Sequence, residues 1–107
     1  MKAEIINAVM FPSRDGYGLD ADLMLDGIKA AHVHDNGDGS AYTYTVFDKA
    51  KFKAFEERIN ECPPYFYIQM RAELKLDKDL FIAILHEAQE SKRTFNLLEF
   101  KPALKSK

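Results

Sequence analysis

From Tyr17 to Leu25 the chain alternates with period two. Tyr17, Leu19, Ala21, Leu23 and Leu25 fall on one side, with Asp20, Asp22 and Met24 on the other. Such alternation predicts a strand buried on one face. Asp26-Gly27 follows at once and supplies the positive φ angles of a two-residue hairpin turn, so residues 28–34 are expected to return antiparallel. A strict two-residue loop sets Leu25 opposite Ile28, Leu23 opposite Ala30, Ala21 opposite His32 and Leu19 opposite His34, which places both histidines on the leucine face. The run Asp35-Asn-Gly-Asp-Gly-Ser40 concentrates turn formers, and residues 41–47 after it are β-branched and aromatic, predicting a third strand. Residues 3–10 predict a further strand, separated from the one at 17–25 by a loop over 12–16.

The period then changes. Asp48 is placed to cap a helix in which Phe52, Phe55 and Ile59 recur at three- and four-residue spacing, and Cys62-Pro63-Pro64 stops it. Residues 65–70 are again β-like, and 71–76 alternate weakly. Asp77 predicts a second N-cap, after which Leu80, Phe81, Ile84, Leu85 and Ala88 form one apolar stripe ending near Lys92-Arg93, whose charges suit a helix C-terminus. A short strand or extended tail at 95–100 precedes a basic end at 101–107, expected to be mobile. The order predicts a single α+β domain over residues 1–107, an antiparallel sheet of three to five strands with two helices packed on one face.

At 107 residues, 47% of them hydrophobic, the chain can bury its own core. The formal net charge of −2 argues against a domain built to hold phosphate backbones. Charge is uneven, with 3 basic and 8 acidic side chains in residues 1–48 against 12 and 9 in residues 49–107. The single cysteine, Cys62, excludes an internal disulfide framework and points to a reducing compartment. The opening residues lack the apolar run of a signal peptide and no stretch reaches the ~20 apolar residues of a membrane span, so a cytoplasmic protein without a membrane partner is expected.

His32-Val33-His34 places two imidazoles on one side of a strand, where they can share a metal ion, with His86 or Asp35 as candidate third ligands. Packed core histidines are the competing reading. In the 35–40 turn, Asn36 and Asp38-Gly39 match the third, fifth and sixth positions of a calcium loop. His34 and Thr45 fail at the first and twelfth, so turn chemistry accounts for the segment. Tyr42, Tyr44, Tyr65, Phe66 and Tyr67 form a candidate stacking platform for bases, but only Lys29 is basic in the adjoining strands, and core packing explains them better. Ser13, Ser40 and Cys62 stand without the motifs that activate a nucleophile, and His86-Glu87 lacks the second histidine of H-E-x-x-H. Neither an enzyme nor a cofactor is expected.

The segment L-D-G-I-K-A-A-H-V-H-D-N-G-D-G-S from Leu25 to Ser40 resembles a recurring element of small uncharacterised proteins of phages, prophages and plasmids. There a strand ending in D-G-K is followed by a strand and an N-D-G-x-G-G-like turn. The resemblance extends over roughly residues 5–60 and the stop at Pro63-Pro64-Tyr65. Here Ser40 replaces the final glycine and Asp35-Asn36 inverts the usual order. The resemblance implies a mobile-element origin and carries over no catalytic residue. The expected role is a non-enzymatic domain, inhibitor or accessory, that binds a host or phage protein through Asp20, Asp22, Asp26, Asp35, Asn36 and Asp38. On that view, charge reversal at Asp20 and Asp22 weakens binding without lowering stability. The alternative is a metal- or small-ligand-binding domain using His32, His34 and the 35–40 loop, and sheet edges leave a homodimer open.

Overall fold

The computed structural model describes residues 1–62, 65–67 and 72–92. Four strands, β1 (Ala3–Ser13), β2 (Gly16–Leu25), β3 (Ile28–Asp35) and β4 (Thr43–Val46), form an antiparallel meander in the order β1-β2-β3-β4. Helix α1 (Lys49–Asn60) follows, then the short pair β5 (Tyr65–Tyr67) and β6 (Ala72–Leu74), and helix α2 (Lys78–Glu90). This is the expected α+β architecture. The predicted strand at 95–100 and the basic end at 101–107 lie outside the described residues, as does the remainder of the 65–70 run. Among the described residues, no helix is long and apolar enough to cross a membrane.

Both helices begin where an aspartate accepts a hydrogen bond from an otherwise unpaired first-turn amide. Asp48 takes Lys51 N–H at 2.9 Å and Asp77 takes Leu80 N–H at 2.8 Å. Phe52, Phe55 and Ile59 of α1 and Phe81, Ile82, Ile84 and Leu85 of α2 share one core with Ile5, Leu19, Ala21, Leu23, Leu25, Ala31 and Val33 of the sheet. Phe55 is fully buried and meets Phe81 edge-on at 5.5 Å between centroids. Burial of such a ring contributes about 1.5–3 kcal/mol. α2 ends at Glu90, slightly earlier than the basic pair suggested.

Two departures from the expected strands matter for function. β1 continues through Pro12 and Ser13, which pair with Tyr17 and Gly16, so the loop is only Arg14-Asp15. Proline is tolerated there because, among the described residues, β1 is an edge strand with no outer neighbour to receive an N–H. Part of that edge is covered: the Gln89 side-chain amide of α2 accepts from Ile5 N–H and donates to Ile5 C=O, both at 2.8 Å, as a neighbouring strand would.

The second departure overturns the predicted register of β2 against β3. Leu25 and Met24 face Ile28 and Lys29, but Leu23 faces Ala31, so Ala30 is an extra, unpaired residue. Its carbonyl turns to accept Phe47 N–H at 2.8 Å and Asp48 N–H at 3.1 Å, tying the bulge to the start of α1. Beyond Ala30 every side chain changes face. Ala31 and Val33 enter the core beside Leu23 and Ala21, whereas His32 and His34 face Asp22 and Asp20. The histidines therefore do not share the leucine face. The bulge spares the core two polar rings that nothing there would satisfy.

Candidate functional site

The helices pack on one face of the four-stranded sheet, and the site lies on the other. Across the middle of that outer face, Asp20 and Asp22 of β2 lie opposite His34 and His32 of β3. His32 Nδ1 is 3.0 Å from Asp22 Oδ1 and its Nε2 is 3.1 Å from Asp20 Oδ1. His34 Nδ1 is 2.8 Å from that same Asp20 oxygen, and its Nε2 is 2.6 Å from Asn36 Oδ1. All four ring nitrogens are engaged.

A second bulge completes the network. β1 slips between Ile6 and Val9, where Asn7 takes a positive φ of 54° that asparagine tolerates better than most residues. From there its side-chain amide donates to Asp22 Oδ2 at 3.0 Å, and Lys29 Nζ lies 3.7 Å from that oxygen. Asp22 is consequently the one buried charged residue among those described, at 8% exposure, and it is fully partnered. Phe11 crosses the sheet to stack on His34 at 5.7 Å and 13° between planes. This crossing needs Gly18, because a Cβ there would collide with the Phe11 ring and with the Asp35 carbonyl oxygen.

The electrostatics follow from these contacts. The Asn7 amide and then His32 hold Asp22 below the usual carboxylate range, and His34 and His32 do the same for Asp20. Asp22 and then Asp20 raise His32, and Asp20 with Asn36 raises His34. Hydrogen bonds to the charged forms are the main cause in each case.

Of the six residues predicted to form an acidic binding surface, Asp20, Asp22 and Asn36 come together here, already bonded to histidines. Asp26 is at the opposite end of β2, where it accepts Lys2 N–H at 2.8 Å and Lys51 Nζ at 3.0 Å. Asp35 and Asp38 bond Gly37 N–H and Ser40 N–H at 2.9 and 3.0 Å, which makes them turn residues. The bonds of Asp22 to Asn7 and His32 make a loss of stability the expected result of charge reversal there. His86 is on α2, behind the sheet, away from the two histidines. Among the described residues, no group of three or more histidine, cysteine, aspartate or glutamate side chains is placed to hold a metal ion.

The tyrosines divide similarly. Tyr44 faces inward, packs on Phe52 at 5.4 Å, and donates its hydroxyl to Asp79 Oδ1 at 2.6 Å, so it offers no platform on the outer face. The Tyr65, Phe66 and Tyr67 side chains lie outside the described residues. Asp79 also receives Tyr42 N–H at 3.0 Å, beside an open cleft of about 490 Å³ lined by Tyr17, Asp35, Tyr42 and Asp79.

Around the Asp–His network the outer face carries apolar side chains in water. Ile6 and Val9 pair with Asp22 and Asp20 and are 37% and 61% exposed, and Phe47, 56% exposed, lies under Lys29 Nζ at 5.1 Å. Sequence reasoning missed Asn7, Lys29, Phe11, Ile6 and Val9. Its one available signal was the broken alternation of Ile5-Ile6-Asn7-Ala8-Val9, which marks the β1 bulge. The chain matches no protein-family model, no curated protein and no solved structure.

Proposed function

We propose that this is a non-enzymatic protein-binding domain of a phage or mobile element, an inhibitor or accessory factor acting in the cytoplasm, and that it docks a host or phage protein on the outer face of its sheet. The observation that carries this reading is Val9 and Ile6, exposed beside a polar network whose members are already bonded to one another. A partner gains apolar contact at Ile6, Val9 and Phe47 and meets polar groups held in place before binding, which lowers the ordering cost of association. Catalysis has less support. The four ring nitrogens on this face are committed to Asp20, Asp22 and Asn36, so no basic lone pair is presented to a substrate. The same commitment weighs against a metal at His32 and His34. The resemblance of residues 25–40 supports the mobile-element origin, and Cys62, the single cysteine and buried, suits a reducing compartment.

The test is affinity capture from the producing cells with three proteins: the wild type, the double variant Ile6→Gln and Val9→Gln, and Lys53→Ala on the exposed side of α1. Wild type and Lys53→Ala are expected to retain the same partner at equal yield, with at least a tenfold loss for the double variant. Equal capture by all three would overturn the assignment of this face.

A further inference from the structure

We propose that Asp20, Asp22, His32 and His34 form a proton-operated clasp. When the His32 ring carries both protons it ties β2 to β3 on the outer face; when one leaves, the clasp opens and a charge-balanced surface becomes acidic. The argument is geometric. His32 lies between two carboxylates, one on each ring nitrogen. A neutral imidazole has one N–H, so one of those carboxylates would face a lone pair; only the imidazolium satisfies both. Carboxylate oxygens only accept in their ionised form, so rotating Asp20 or Asp22 gives no relief. His34 differs, because the Asn36 side chain can turn its amide to donate, and a neutral ring can then bond to both neighbours. His32 is therefore the group that operates the clasp.

The surroundings leave it free to titrate. From β1 come the neutral Asn7 amide, which holds the far oxygen of Asp22, and the apolar Ile6 and Val9, with Glu4 further along opposite Met24. β2 contributes the two aspartates. β3 adds Lys29, 3.7 Å from Asp22, and Asp35, whose charge acts on His34. Thr45 and Thr43 of β4, opposite His32 and His34, are uncharged. The helices lie behind the sheet. Lys29 is the nearest other cation on Asp22, too distant for a hydrogen bond and itself half in water, so it does not substitute for the lost proton.

Because both histidines are raised above the ordinary 6.5, the stability the clasp contributes is fully present below pH 6.5 and is lost as pH rises through their folded values. Because Asp20 and Asp22 are lowered from 3.8, their share is present above about pH 4 and lost as pH falls through their folded values. The clasp is closed between those limits.

The test uses the free protein and needs no partner. In uniformly ¹⁵N-labelled wild type, long-range ¹H–¹⁵N spectra from pH 5 to 9 report both ring nitrogens of His32. The expected result is a doubly protonated ring at pH 6.5, a midpoint above 6.5, and a lower midpoint in Asp20→Asn. The urea midpoint is expected to fall from pH 6 to 9 in wild type and to lose most of that fall in His32→Asn. A neutral, single-tautomer His32 at pH 6 would overturn the clasp, as would an unchanged pH slope in His32→Asn. Should that variant not fold, the ring titration of the unaltered protein decides alone.

Discussion

β2 and β3 present two faces built from alternate residues of the same two segments, and those faces are held together by different physics. On the inner face Leu19, Ala21, Leu23, Ala31 and Val33 meet the phenylalanines of the helices, and the stabilisation is burial, which does not depend on pH. On the outer face Asp20, Asp22, His32 and His34 are joined by hydrogen bonds between ionised groups, and their contribution exists only while the protons are in place. The difference teaches that one unpaired residue, Ala30, decides which physics each half of β3 uses.

The most severe way to break this division is Phe55→Ala, which attacks the inner face alone. It is expected to cost about 3–5 kcal/mol by urea denaturation, and the same amount at pH 5.5 and pH 8.5.

Asp22→Asn attacks the outer face alone. It removes the charge and leaves one accepting oxygen where His32 and Asn7 use two, with an expected cost of about 1–3 kcal/mol at pH 5.5 that shrinks as pH rises through the folded midpoint of His32. Comparing the pH dependence of these two variants sharpens the contrast, since a pH-dependent cost at Phe55 would mean the two faces are coupled. The smallest effect belongs to Ile6→Gln with Val9→Gln. Val9 stands largely in water and Ile6 is partly exposed, so a change within about 1 kcal/mol is expected, which separates loss of partner capture from loss of fold.

The inner face was legible in the sequence because it obeys simple periods. Alternation over residues 17–25, the spacing of Phe52, Phe55 and Ile59, and the caps Asp48 and Asp77 each express a local rule, and each appears in the structure. The outer face was misread through one assumption, that Asp26-Gly27 continues into an unbroken ladder. The turn is where it was expected and its first two pairs match, but Ala30 bulges because its carbonyl serves the entry to α1, a contact between residues 17 and 18 positions apart. Nothing in the local pattern of Ile28 to His34 encodes that demand. Asn7 was hidden for a similar reason. Its positive φ and its bond to Asp22 require β1 and β2 to be already paired. The aspartates were recognised as candidates, but as a free acidic surface, because the register that pairs them with histidines was not available.

The measurement that bears most directly on the account is the backbone cross-strand NOE pattern between β2 and β3. The account predicts contacts linking Asp22 with His32, Ala21 with Val33 and Asp20 with His34. Contacts linking Ala21 with His32 and Leu19 with His34 would contradict it, returning the histidines to the leucine face and dissolving the clasp.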